Sequence, residues 1–245
     1  MTALTGLLAA VAGRGPGTVW VILAVAAGQL YVGWSNDYVD RKRDRDAERK
    51  DKPLAHGGLA PRVVRAAAVA ALVAAVPLSF ASGVAAGLVH LAAIASATAY
   101  NLGVKATIFS AVPYAVSFGL LPAFVTLGLS HPHWPHLWVM AVAALIGVGG
   151  HFAQARPDVE ADRRQGVHGV PERAGDRGSA ILAAGFLAAG AVALAVGTRS
   201  ALPLLAVVSA AGVAITAADV AFWLTLATAA VAVGTFLLAA SSALS

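Results

Sequence analysis

Residues Trp20–Asp46 read WVILAVAAGQLYVGWSNDYVDRKRDRD, an apolar run that gives way abruptly to mixed acids and bases. From about residue 17 the run carries no charge before Asp37. Roughly 20 apolar residues in a helix rising about 1.5 Å per residue cross the hydrocarbon of a bilayer. Backbone polar groups find no water there, so only helices and closed barrels span it. The run lacks the alternation of a barrel strand. It reads as a membrane helix whose end meets water at Asp37.

Working outward, further apolar runs fall at about 2–13, 61–81, 83–101, 108–129, 136–155, 178–197, 201–217 and 220–243. With the first, that makes nine. The expected fold is all-α: a polytopic membrane helix bundle of about nine transmembrane helices, the first short, as though truncated. Residues 1–245 read as one membrane-embedded domain. Composition agrees, with 59% hydrophobic and only 12% charged residues, against about 45–50% and about 25% in soluble domains. The N-terminus has no basic leader region and makes a poor signal peptide. Without cysteine there is no disulfide framework, thiolate metal site or cysteine nucleophile. The net charge of +5 does not point to nucleic acid, because the charges sit between apolar runs and form no stripe. With nine spans, fifteen of the seventeen Lys and Arg fall on one side, leaving Arg14 and Arg199 on the other. That asymmetry predicts a multi-pass protein of the cell membrane with its charged face in the cytoplasm.

Eleven of the twelve acids lie in two clusters at that same face. In the first, a continuing helix puts Asp37 and Asp44 on nearly one face with Asp40 beside them. Such carboxylates repel unless a cation sits among them, and hard oxygen ligands suit Mg²⁺ or Ca²⁺. In the second cluster Asp158 and Asp162 are one turn apart, and Pro157 predicts a break in the helix before them. Mg²⁺ takes one or two carboxylates and completes its shell with water and phosphate oxygens. Two acidic helix ends therefore suit a diphosphate. Asp37, Asp40, Asp158 and Asp162 are read as functional, since acids near hydrocarbon are costly. Asp46, Glu48, Asp51, Glu172 and Asp176 are read as solvated loop charges. His151 stands seven residues before Asp158 and shares its face if the helix is regular, either as a base or as a buried structural imidazole. Gln29 shares a face with Asn36 by the same spacing. Tyr31, Trp34, Tyr114, Phe118 and Phe152 are read first as packing, and the His131/His133/His136 group as an interfacial loop.

These stretches resemble a family. WSNDYVDRKRDRD (34–46) resembles the first Asp-rich motif of the UbiA-type intramembrane prenyltransferases. PDVEADRRQGVHGVPERAG (157–175) resembles the second, and YNLGVKATIFSAVPYAVSFGLLP (100–122) the region between helices four and five. The resemblance implies helices around a central cavity with a cytoplasmic cap. It implies Mg²⁺-dependent transfer of an isoprenoid group from an allylic prenyl diphosphate to a small acceptor, often aromatic, within the lipid membrane. Asn36, Asp37, Asp40 and Asp44 match the first motif, Asp158 and Asp162 the second. Lys105 matches a lysine that contacts the diphosphate. Tyr100 stands five residues before it rather than four. Ala155 stands where the second motif usually begins, with Gln154 adjacent. The implied metal set is thus Asp37, Asp40, Asp44, Asp158 and Asp162, and the implied substrate contacts are Asn36, Lys105, Tyr100, Gln154 and His151. The motifs alone leave open a terpene cyclase of the same superfamily, and a transporter or cation-binding membrane protein remains the alternative of another class.

Overall fold

A computed structural model describes residues 1–47, 49 and 52–243; Glu48 and Asp51 lie outside the described residues. Within them every regular element is helical. The α-helices are α1 Thr2–Val11, α2 Thr18–Asp46, α3 Pro61–Phe80, α4 Val84–Asn101, α5 Val112–Gly119 and α6 Leu121–Thr126. They continue with α7 Leu137–Ala155, α8 Val159–Arg164, α9 Val170–Thr198, α10 Leu205–Ile215 and α11 Ala218–Ala243. Five helical stretches among the described residues are long and apolar enough to cross a membrane: Gly15–Asp46, Pro61–Phe80, Val84–Asn101, Leu137–Ala155 and Val170–Thr198. Valines 69, 73, 196 and 208 and Leu88 stand exposed on these and neighbouring helices. That surface would associate in water and is at home in lipid.

Three boundaries differ from, or sharpen, the sequence reading. The single helix expected over 108–129 is two, α5 and α6. Pro122 opens α6; it has no N–H to give the carbonyl four residues back, and its ring crowds that turn. Helix α7 ends at Ala155 and α8 restarts at Val159, so the break falls around Pro157. Helix α9 begins at Val170, eight residues before the apolar run expected from 178. It is kinked at Gly175, whose φ of 74° and ψ of 177° lie outside the helical region. A positive φ of this kind is nearly free only for glycine.

The two larger apolar clusters among the described residues hold most of the bundle together. One gathers Ala9, Val21, Val25, Ala86, Phe124 and neighbours from α1, α2, α4 and α6. The other gathers Val148, Phe152, Ala183, Leu187, Ala210 and Val213 from α7, α9 and α10. The small residues let helices approach closely. His90, mid-helix in α4, is a satisfied core residue, with Ser79 Oγ 2.7 Å from its Nδ1 and Phe124 stacked on its ring at 4.4 Å.

Candidate functional site

The α2 helix runs past its apolar stretch without interruption, so Gln29, Gly33, Asn36, Asp40 and Asp44 form one stripe at three- and four-residue spacing. All five line a cavity of about 420 Å³. The opposite walls come from Tyr100 and Asn101 of α4, Tyr114 and Phe118 of α5, His151 and Gln154 of α7, then Asp158, Asp162 and Glu172. Asn101 ties α4 to α2, donating to Val32 O and Ser35 Oγ at 2.9 Å each. After α4 the chain turns at Gly103, φ 143°, and the following turn carries Lys105 back toward α2. Lys105 Nζ lies 2.5 Å from both carboxylate oxygens of Asp40 and 3.3 Å from Asn36 Oδ1.

The two acidic stretches meet here. Arg43 lies 3.0 Å from Asp40 and 3.9 Å from Asp162, so one guanidinium reaches both. Arg49, from the loop after α2, lies 2.8 Å from Asp158. Asp40 and Asp44 are buried, an uncommon state for carboxylates without cations nearby. Burial pulls the Lys105 ammonium below its usual range, and the hydrogen bond and charge of Asp40 only partly restore it. Burial pushes the Asp162 carboxyl up; Arg43 opposes this, while the neighbouring charge of Asp158 adds to it. For Lys52 burial acts downward but is outweighed by the hydrogen bond and charge of Asp37, so the ammonium ends above its usual range.

Asp37, expected to share the site, turns elsewhere. It binds Lys52 at 2.5 Å and faces a separate chamber of about 270 Å³ lined by Trp34, Leu54, Leu59 and Val63. Asp44 and Lys52 border both spaces. On a helix Asn36, Asp40 and Asp44 recur every four residues, and Asp37 is rotated about 100° from Asn36. Tyr100, Tyr114 and His151 form an aromatic group on the deeper wall, with ring centroids 5.2, 5.6 and 4.6 Å apart pairwise. His151 is buried, its Nε2 3.3 Å from Ser110 Oγ. The Tyr114 hydroxyl donates to Gln154 Oε1 at 3.4 Å.

The sequence profile of the UbiA prenyltransferase family matches residues 1–241. The chain belongs to the UbiA prenyltransferase family. Its fold agrees with solved UbiA structures. An apo UbiA homologue from Aeropyrum pernix K1 superposes with a TM-score of 0.79, at 16% identity, over 97% of this chain and 96% of that one. A UbiA homologue from Archaeoglobus fulgidus, solved bound to GPP and Mg²⁺, gives 0.71 at 16% identity over 98% and 96%. A digeranylgeranylglyceryl phosphate synthase gives 0.69 at 16% identity over 98% and 91%. At this identity the likeness speaks for the fold. No curated protein matches the sequence.

In this UbiA-family chain one residue departs from its sequence reading as a solvated charge. Glu172 is 5% exposed and lines the cavity. The reason is local: α9 starts at Val170 with Pro171 in its first turn, which carries Glu172 inward. Pro at a helix start followed by an acid is an N-terminal helix signal. Asp46 and Asp176 are exposed as expected, Asp176 holding the buried Arg156 at 2.7 Å. The His131/His133/His136 segment is exposed loop.

Proposed function

We propose that the chain is a Mg²⁺-dependent prenyltransferase that moves an isoprenoid group from an allylic prenyl diphosphate to a small aromatic or lipophilic acceptor. The observation that carries this reading is the meeting of both Asp-rich segments at one cavity, with Arg43 in reach of each. The donor set fits the metal. Asn36, Asp40, Asp44, Asp158 and Asp162 offer only hard oxygens, and these are the residues that would hold Mg²⁺. Among the described residues no three acids or histidines converge closely enough to hold an ion alone. That suits an ion that takes few protein ligands and completes its shell with phosphate oxygens and water. When bound, Mg²⁺ supplies Lewis-acid stabilisation of the leaving diphosphate.

The chain's own residues do the rest. Lys105, Arg43 and Arg49 already face the carboxylates and exchange them for diphosphate oxygens, favouring negative charge as the C–O bond breaks. The allylic cation is kept from water by Val32, Ala97, Pro113 and Phe118 of the cavity wall. An apolar cavity of about 100 Å³, lined by Leu8, Leu121, Val142, Ile146 and Leu194, shares Phe118 with it and suits the isoprenoid tail. Tyr100, Gln154 and His151 line the acceptor side. Asp37 acts at one remove, holding Lys52, which lines the cavity. The charged end faces the cytoplasm on the positive-inside asymmetry, and residues 1–245 act as one membrane-embedded unit.

The test is calorimetric binding and pyrophosphate release by purified protein given geranyl, farnesyl or geranylgeranyl diphosphate. Binding and release that need Mg²⁺ and vanish with EDTA support the reading. Neither binding nor turnover with any chain length refutes it. A cyclic hydrocarbon or terpene alcohol formed without acceptor would reassign the chain to cyclisation.

A further inference from the structure

Among the described residues, Glu172 is the one acid lining the cavity that the diphosphate chemistry does not use. Its Oε2 packs against Gly169, is shut off from solvent and makes no hydrogen bond of good geometry; the backbone N–H groups of Gly169 and Glu172 at the start of α9 favour the charged carboxylate but do not offset its burial. Arg163 meets the backbone of Glu172 rather than its carboxylate, its Nε donating to Glu172 O at 2.9 Å, and also contacts Glu160 at 3.5 Å; the guanidinium whose charge acts on the carboxylate is Arg43. The four Lys and Arg side chains lining the cavity each contact an aspartate: Lys105 and Arg43 contact Asp40, Arg49 contacts Asp158, and Lys52 contacts Asp37. Glu172 lines the cavity together with Tyr100, Tyr114, Ser117, His151 and Gln154, close enough to Tyr100 for its charge to act on that hydroxyl. Ser110 joins the two parts, accepting from Val170 N–H at 3.1 Å while its Oγ lies 3.3 Å from His151 Nε2.

A buried acceptor oxygen left unpaired is costly, and a ligand that brings a donor recovers the loss. A ligand that brings a second negative charge adds to it. The terminal carboxylate torsion is soft, so either oxygen turns to the cavity with little strain. We propose that Glu172 selects the acceptor: it takes a hydrogen bond from the hydroxyl of an uncharged alcohol or phenol whose apolar body lies against Tyr100, Tyr114 and His151, and it disfavours acceptors carrying a carboxylate. This rests on the prenyltransferase reading above and assigns its second substrate by chemical class.

The test is calorimetric titration of the full chain in detergent, first with Mg²⁺ and geranyl S-thiolodiphosphate, then with 4-hydroxybenzyl alcohol or 4-hydroxybenzoate. The wild type is expected to bind the alcohol at least tenfold more tightly than the acid. In Glu172→Gln the ratio falls to within threefold, chiefly through tighter binding of the acid. Asp46→Asn, altering an exposed acid on α2, keeps the wild-type ratio. The inference is overturned if the wild type binds the acid as tightly as the alcohol, if the alcohol does not bind at millimolar concentration, or if Glu172→Gln leaves the ratio unchanged. The wild-type comparison needs no variant, so a misfolded Glu172→Gln does not remove the test. Failure of the thiolodiphosphate to bind counts against the prenyltransferase reading alone. Repeating the acceptor titrations without it reads the Glu172 preference by itself.

Discussion

Replacing Asp40 by Asn tests the electrostatics of the site before any turnover is measured. Asp40 and Lys105 side chains are 9% and 11% exposed and sit 2.5 Å apart, with Arg43 at 3.0 Å on the other side. The amide keeps the shape but removes the charge that balances two cations. Removing one partner of a buried pair costs about 3–5 kcal/mol. At about 2–4 °C per kcal/mol for a chain of this length, even the lower figure drops the unfolding midpoint by about 6–12 °C. The loss is specific, because Lys105 and Arg43 are left seeking an anion. Pyrophosphate without Mg²⁺ at about a hundred times its Kd contributes about 2.7 kcal/mol, which recovers most of the loss in Asp40→Asn. In the wild type the same cations are already engaged by Asp40, and pyrophosphate alone shifts the midpoint by less than about 2 °C. Thermal unfolding in detergent, with and without pyrophosphate and EDTA, reads both effects. Equal midpoints for the two proteins, or equal responses to pyrophosphate, would refute the reasoning.

Further outcomes follow from the same geometry. Asp37→Asn removes a half-exposed pair with Lys52, worth about 0–1 kcal/mol, and leaves Mg²⁺-dependent diphosphate affinity within about fivefold. Asp44→Asn removes a proposed Mg²⁺ ligand and is expected to cost more than the roughly 10–100-fold typical of an outer-sphere partner; calorimetry that finds the reverse order contradicts the assignment. Lys105 binds an anion only as the ammonium, and burial lowers its pKa from the usual lysine range. Diphosphate binding therefore weakens as pH rises through that lowered value. Lys105→Arg, whose guanidinium stays charged, moves the alkaline limb upward in a binding-versus-pH titration, and an unmoved limb rejects Lys105 as its source.

Much of this was readable in the chain itself. The apolar run from 17 onward, the charge asymmetry and the two acid clusters carried the membrane helix bundle and the convergence of carboxylates at one end. Three things escaped for separate physical reasons. The break at Pro122 was hidden because apolar residues flank it on both sides, and hydropathy does not register a missing N–H. Asp37 was grouped with Asp40 and Asp44 on a seven-residue spacing. The helix instead turns the four-residue series Asn36, Asp40, Asp44 to the cavity. Glu172 was read as a loop charge because apolar periodicity begins only after Gly175. The first turn of α9 is set by Pro171 and a glycine kink rather than by hydrophobicity.

Because Asp40 is clasped by Lys105 and Arg43, the carboxylate at the heart of the site carries its own counterions. A bare divalent ion bound at Asp40 would have to displace two tethered positive groups. The same ion arriving already chelated by a diphosphate gives those groups a new anion in the same motion. On the proposed function, the clasp would thus favour an ion and a diphosphate that arrive together over either one alone.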